Sequence, residues 1–262
     1  MIIKKYIALL SVLLVSTVFC QNTYSDDKAI SIIHKADEMG RGWGSNSAYV
    51  DMELFQNGRG SVYREMRVKN LEIQNGGDKS MTLIMSPPDM KGTVLLTHTS
   101  IKSADNQWLL LPALKRIKRI SSSNKSGSFM GSEFAFEDLA SFEVEKYSYK
   151  FLRNDKLGDL SHFVVEYIPM YKNSGYESLI TWIDTKHYRV SKVEYYDRSG
   201  RHFKTLSYSD YVYYNDKFWR ANVMTMKNHV DGNITTLKWK NIDFDVNYKA
   251  RDFSKNSMLR LH

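Results

Sequence analysis

A period of two residues is the feature that most constrains this chain. In Ala48, Val50, Met52 and Leu54 the even positions are apolar, while Asp51 and Glu53 interleave. Val62, Met66 and Val68 alternate in the same way with Tyr63, Glu65, Arg67 and Lys69. Alternation at this period puts successive side chains on opposite faces of an extended segment, so each is read as a strand with one apolar and one wet face. Ten further segments carry strand signals, at 81–85, 93–98, 108–111, 147–152, 163–168, 179–183, 190–196, 203–208, 218–226 and 234–244. Turn-forming pairs punctuate them, among them Asn57-Gly58, Asn75-Gly76, Asn173-Ser174-Gly175, Ser199-Gly200 and Asp231-Gly232. Connections this short join neighbours of opposite direction, which predicts an antiparallel meander.

Two segments have helical signals. Asp26 or Asp27 is a suitable cap for a helix through Ala29, Ile30, Ile33 and Ala36 to Met39, ended by Gly40. Ser132 is a suitable cap for a second, short one reaching Leu139. About a dozen strands with so little helix predict a mainly β protein, a strongly curved antiparallel sheet with one or two covering helices.

The first residues bear on destination. Lys4 and Lys5 precede an uncharged apolar run from Tyr6 to Phe19, and Gln21, Asn22 and Ser25 follow. The run is shorter than the roughly 20 residues a bilayer span needs, so 1–20 is read as an export signal with cleavage after Cys20 or after Ser25. Phe19 stands where lipoprotein signals carry a small residue, so Cys20 is not read as a lipid anchor. Cleavage removes the single cysteine, which excludes a disulfide framework and a thiol nucleophile. It also removes two lysines, lowering the net charge from +8 to +6. The remaining 21–262 has no Pro-rich or single-charge linker and is read as one domain. Its basicity favours anionic membrane surfaces, and export excludes nucleic acid as a partner.

Between Gln107 and Leu139 three kinds of surface share one run. An apolar strand with Trp108 ends at Pro112, the cations Lys115, Arg116, Lys118 and Arg119 follow, and a Ser/Gly-rich stretch leads to Phe129, Met130, Gly131, Phe134 and Phe136. Phe and Met beside Gly make a candidate flap over a greasy ligand, because Met is adaptable and Gly frees the backbone. Ordinary core packing under a long connection is the alternative. Trp182, Met224, Met226 and Trp239, on strands, are candidates for a cavity wall. Glu133 and Asp138 are read as a helix cap and solvated face, or as counter-ions to the cationic run.

No catalytic machinery is legible. The seven histidines make no i, i+2 or i, i+4 pair, and no HExxH, GxSxG or phosphate-binding Gly loop occurs. The expectation is a protein without catalytic residues, metal or cofactor.

Three ordered blocks carry a resemblance: SPPDMKGTVLLTHTS at 86–100, NQWLLLPALKRIKRISSSNKSGSFMGSEFAFEDL at 106–139, and KVEYYDRSGRHFKTL at 192–206. Together they resemble the outer-membrane lipoprotein-sorting proteins of the LolA-like superfamily, in the branch associated with MMPL/RND-type exporters. The resemblance implies an incomplete, half-open β-barrel with an apolar concave face closed by helices, and a periplasmic carrier of a lipid or lipid-modified protein in a Gram-negative bacterium. It further implies passage of cargo to or from an inner-membrane RND/MMPL-type transporter. In that frame Trp108, the 129–136 flap, Trp182, Met224, Met226 and Trp239 face the ligand, and Lys115 to Arg119 form a rim for head groups or an anionic membrane. The alternative is an interaction subunit of a membrane complex that carries no ligand.

Overall fold

In the computed structural model, residues 26–74, 76–244 and 246–261 are described. The expected export signal with Cys20, Asn75 of one turn signal, and His262 lie outside them. The described residues begin with helix α1 (Asp27–Gly40) and continue through β1 (Ser45–Gln56), β2 (Gly60–Leu71), β3 (Lys79–Ser86), β4 (Val94–His98), β5 (Asn106–Leu111) and β6 (Arg116–Arg119). After a long connection come β7 (Tyr147–Leu157), β8 (Leu160–Pro169), β9 (Tyr176–Asp184), β10 (Val190–Asp197), β11 (His202–Tyr214), β12 (Phe218–Asn228) and β13 (Ile234–Asp243), then a short α2 (Lys255–Met258).

Among the described residues, thirteen strands form one antiparallel sheet in the order β6-β5-β4-β3-β2-β1-β13-β12-β11-β10-β9-β8-β7. Strand β1 pairs with β13, so the first and last strands meet in the middle and two meanders run outward from them. The outermost strands, β6 and β7, do not pair with each other, and the curved sheet stays open. The period-two pattern sets its faces: along β1 the positions Ala48, Val50, Met52 and Leu54 are buried, with Tyr49 and Asp51 on the other side.

Helix α1 lies against the concave face. Asp26 caps it by accepting from the Ala29 amide at 2.6 Å. The same carboxylate accepts from the amide of Phe151 at 2.6 Å, and the Asp26 amide donates to the Tyr149 carbonyl at 3.1 Å. One side chain therefore starts the helix and fastens it to the open edge of β7. Ala29, Ile32 and Ile33 are buried beneath it.

A second apolar cluster fills the convex side at the β3–β5 end. Met81, Leu83, Val94, Leu96 and Leu110 point there, and the C-terminal segment covers them with Phe253 and Met258. Strand β4 is therefore buried on both faces, which explains its unbroken VLL run.

The segment 132–139 is not the expected helix. The Ser132 hydroxyl donates to the Phe129 carbonyl at 2.7 Å, and the Ala135 amide donates to Asp138 at 2.7 Å, so the capping groups close local turns. Only Glu137–Leu139 forms one turn of 3-10 helix. From Gly127 to Phe136 the chain makes a tight hairpin, with Phe129 N–H to Phe134 O at 2.8 Å and Phe136 N–H to Gly127 O at 3.0 Å. Its turn places Met130 at φ 53° and Gly131 at φ 75°. Gly131 is there because two successive left-handed residues are what such a turn requires.

Candidate functional site

Between α1 and the concave face of β8 to β13 lies a cavity of about 1060 Å³. The strand register builds its floor: Tyr167 pairs with Leu179 and Leu179 with Tyr195, while Thr181 pairs with Val193 and Tyr208 with Met224. Residues two apart on one strand, and opposite each other on the next, share a face, so the stripe is continuous across five strands. Trp239 of β13 extends it, and Ile33, Ala36 and Met39 of α1 form the roof.

The wall is unusually rich in tyrosine. Burial holds the hydroxyls of Tyr147, Tyr167, Tyr195, Tyr208 and Tyr211 well above the ordinary tyrosine range, so these groups stay neutral. A neutral aromatic lining presents large apolar area with a few polar tips.

Charges gather where α1 ends. Arg41 donates from Nε to Asp37 at 2.6 Å, and its Nη2 lies 4.0 Å from Glu143. Glu143 is 2% exposed, and burial together with the nearby Asp78 carboxylate pushes its carboxyl up to about 7. Burial also raises Asp78, against the Ile73 amide that donates to it at 3.0 Å. Arg220 reaches from β12 to the Gly40 carbonyl at 2.8 Å, and burial lowers its pKa.

Among the described residues six buried side-chain polar atoms lack a hydrogen-bond partner, and three of them belong to this lining: Glu143 Oε2, Thr181 Oγ1 and Trp239 Nε1. Each such atom costs about 1–3 kcal/mol.

The residues expected around a ligand from the sequence separate into three places. Met224 and Trp239 line the cavity. Phe129 and Phe134 are each 1% exposed within the main core, with Met130 and Phe136 packed against it, and Met226 is fully buried there. Trp182 points to the opposite face, where Lys192 Nζ sits 3.5 Å above its ring and Asp155 accepts from its Nε1 at 3.1 Å. Trp108 lies in the convex cluster beside His98, 5.1 Å between rings. Lys115, Arg116, Lys118 and Arg119 are exposed on and beside β6, the outermost strand, away from the cavity lining.

Asp138 is neither solvated nor a counter-ion to that cationic run. It forms a buried pair with Lys204 at 2.9 Å, the two side chains being 5% and 4% exposed. Tyr176 donates to the same carboxylate at 2.8 Å, and the Lys204 ammonium rests 4.8 Å from the Tyr176 ring and 4.9 Å from that of Tyr195. Glu133 accepts from Asn228 at 2.8 Å. Glu137 accepts from Tyr171, Ser174 and the Gly175 amide, at 3.0, 3.0 and 2.8 Å. These acids tie the 127–139 hairpin across the concave face to β11, β12 and the chain entering β9.

Sequence reasoning missed the tyrosine stripe and the Arg41, Asp78 and Glu143 group. The first had a signal, 17 tyrosines in 262 residues with many on period-two positions of β8 to β11. The second comes from three remote segments and had none.

The profile of a family described as uncharacterized protein matches residues 76–260. No curated protein matches the sequence. Among solved structures, an outer membrane lipoprotein-sorting protein domain from Vibrio parahaemolyticus is 47% identical, with a TM-score of 0.86 over 88% of this chain and 98% of that one. A DUF1329 family protein from Desulfovibrio piger is 22% identical, with a TM-score of 0.82 over 87% and 97%. A LolA superfamily protein from Nitrosomonas europaea is also 22% identical, with a TM-score of 0.72 over 87% and 98%. With its open thirteen-stranded sheet and near-complete overlap with the Vibrio domain, the chain belongs to the outer membrane lipoprotein-sorting protein family and has the LolA-like fold.

Proposed function

We propose that this protein is a periplasmic carrier that holds a lipid, or the acyl chains of a lipid-modified protein, between α1 and the concave sheet. The observation that carries the reading is the cavity itself. At about 1060 Å³ it stands at the top of the range of roughly 300–1,000 Å³ usual for small-molecule sites. Its lining of Ile33, Met39, Leu179, Val193, Met224 and Trp239 suits hydrocarbon. Neutral tyrosine hydroxyls in the same wall, such as that of Tyr208, suit an ester or amide near the chains.

In this reading Met224 and Trp239 contact the ligand, and the 127–139 hairpin acts as a packed end wall. Lys115, Arg116, Lys118 and Arg119 supply long-range attraction to anionic envelope surfaces. The carrier works without catalysis, in transport toward the outer membrane, with an inner-membrane RND/MMPL-type exporter as the proposed partner. Support for the exported location is the leader-like 1–20 segment and the family of the Vibrio domain.

Native mass spectrometry and organic extraction of purified protein test the proposal. A stoichiometric co-purifying lipid that is lost from Met224→Asp or Trp239→Asp variants is the expected result. A folded protein that carries no lipid and takes up none from vesicles refutes it.

A further inference from the structure

Twelve large hydrophobic side chains are well exposed among the described residues, and only Phe142 and Met170 of these also line the cavity. They are 41% and 57% exposed, so they stand on the border between cavity and solvent. The border is rigidly built. Phe142 stacks on Tyr147 with ring centres 5.5 Å apart and planes at 22°. The Tyr147 ring meets that of Tyr171 edge-on at 5.8 Å, and the Met170 amide donates to the Lys146 carbonyl at 2.8 Å. Lys146 pairs in turn with Asp105, which joins the 101–105 loop to the same structure. Apolar side chains held outward on such a frame form a prepared surface.

Two cations flank it. Lys102 and Lys172 line the cavity, are exposed, and form no ion pair among the described residues. Lys125 and Lys146 differ, since both are bound to Asp105, through its carbonyl at 2.6 Å and its carboxylate respectively. Glu145 is the one exposed carboxylate on this part of the rim. Two free lysines beside protruding Phe and Met match the surface of an anionic phospholipid bilayer, apolar side chains entering the acyl boundary and ammonium groups meeting phosphates.

We infer that the lip formed by Phe142, Met170, Lys102 and Lys172 docks directly on an anionic phospholipid bilayer and sets the cavity open onto it. The inference deepens the carrier reading and rests on it for what crosses the lip, though docking is measurable without any cargo. The β6 cations cannot do the same work. Their one strongly exposed apolar neighbour is Leu114, and none of that group touches the cavity.

The test is flotation of purified protein with vesicles of phosphatidylethanolamine and phosphatidylglycerol at about 0.15 M salt, where exposed charges more than about 8 Å apart are screened. The native protein is expected to float. The pair Phe142→Asp with Met170→Asp is expected to abolish flotation, and Lys102→Glu with Lys172→Glu to weaken it by roughly fivefold per lysine or more. Replacing Lys115, Arg116, Lys118 and Arg119 by Gln is expected to weaken flotation mainly at low salt, and at about 0.15 M by less than the lysine pair, because these cations act only at long range. Should the double Asp variant fail to fold, Met170→Glu alone decides. Native protein that does not float, or lip variants that float like it, overturn the inference. Extraction of lipid from the same samples separates the two readings. Protein that carries lipid without floating keeps the carrier and removes the docking lip. Protein that floats but never carries lipid keeps the lip as a membrane contact and removes the carrier.

Discussion

The 127–139 hairpin and the cavity wall have similar composition and opposite physics. Both are rich in aromatics and Met, and both face the concave side of the sheet. In the hairpin the charged groups are matched: Lys204 with Asp138, Glu137 with three donors, Glu133 with Asn228. Along the wall Glu143, Thr181 and Trp239 each keep a buried polar atom without a hydrogen bond. Apolar content does not distinguish a plug from a receptive surface. The satisfaction of the polar groups among the apolar ones does.

Breaking the plug is expected to have the largest effect. Lys204→Met leaves Asp138 charged and buried without its cation, which costs about 3–5 kcal/mol in denaturant unfolding. A loss below about 1 kcal/mol shows that the pair is not what holds the hairpin. Phe134→Ala removes a ring that is 1% exposed and is expected to cost about 3–4 kcal/mol. Slow amide exchange across 127–139 in the native protein accompanies that result, and fast exchange at near-native stability gives the hairpin back its role as a mobile flap.

The wall is probed by pH. Glu143 titrates at about 7 in the folded protein against an ordinary 4.5. Its raised value means the folded state binds the proton more tightly than the unfolded state. Stability therefore falls as pH rises from about 4.5 to about 7, and the cost of the buried charge is complete above that. Glu143→Gln is expected to stabilise the protein at pH 8 by roughly 1–3 kcal/mol, with little change at pH 5. Equal effects at both values separate Glu143 from the pH response. The smallest effect on stability belongs to Met224→Ala, about 1 kcal/mol, because the side chain already faces open space. Extracted lipid falls in that variant if Met224 touches the ligand, and it is unchanged if Met224 is only lining.

Most of the sheet was legible because one face of nearly every strand is wet. Twelve of the thirteen strands carry the alternation or apolar run that marks them. Strand β6 escaped notice because RIKR has a single apolar residue, Ile117, as suits an edge exposed to water. The helix expected at 132–139 failed because Ser132 and Asp138 found partners within the hairpin and across the sheet, which local propensity does not contain. The small α2 went unread because its one local signal is the Ser254 cap, and its buried Met258 packs on the convex cluster. For the cavity, the strand positions of Met224 and Trp239 were readable. Which face Trp182 takes depends on register, and the odd positions Leu179 and Thr181 that precede it claim the concave side. The Glu143 group depends on three chain crossings, and no spacing encodes it.

The unclosed edge has a consequence for selectivity. In a closed barrel the strand number and stagger fix the bore, and a larger guest requires ladder bonds to break. Here β6 and β7 are free of each other, so curvature can relax while every strand pair remains intact. The gap above the floor is set by one rod, α1, pinned through Asp26 to β7 and through its Gly40 carbonyl to Arg220 of β12. In the carrier reading, guests of different girth would be accommodated by small changes in the bend of the sheet, with the length of α1 between those two pins as the molecule's own caliper.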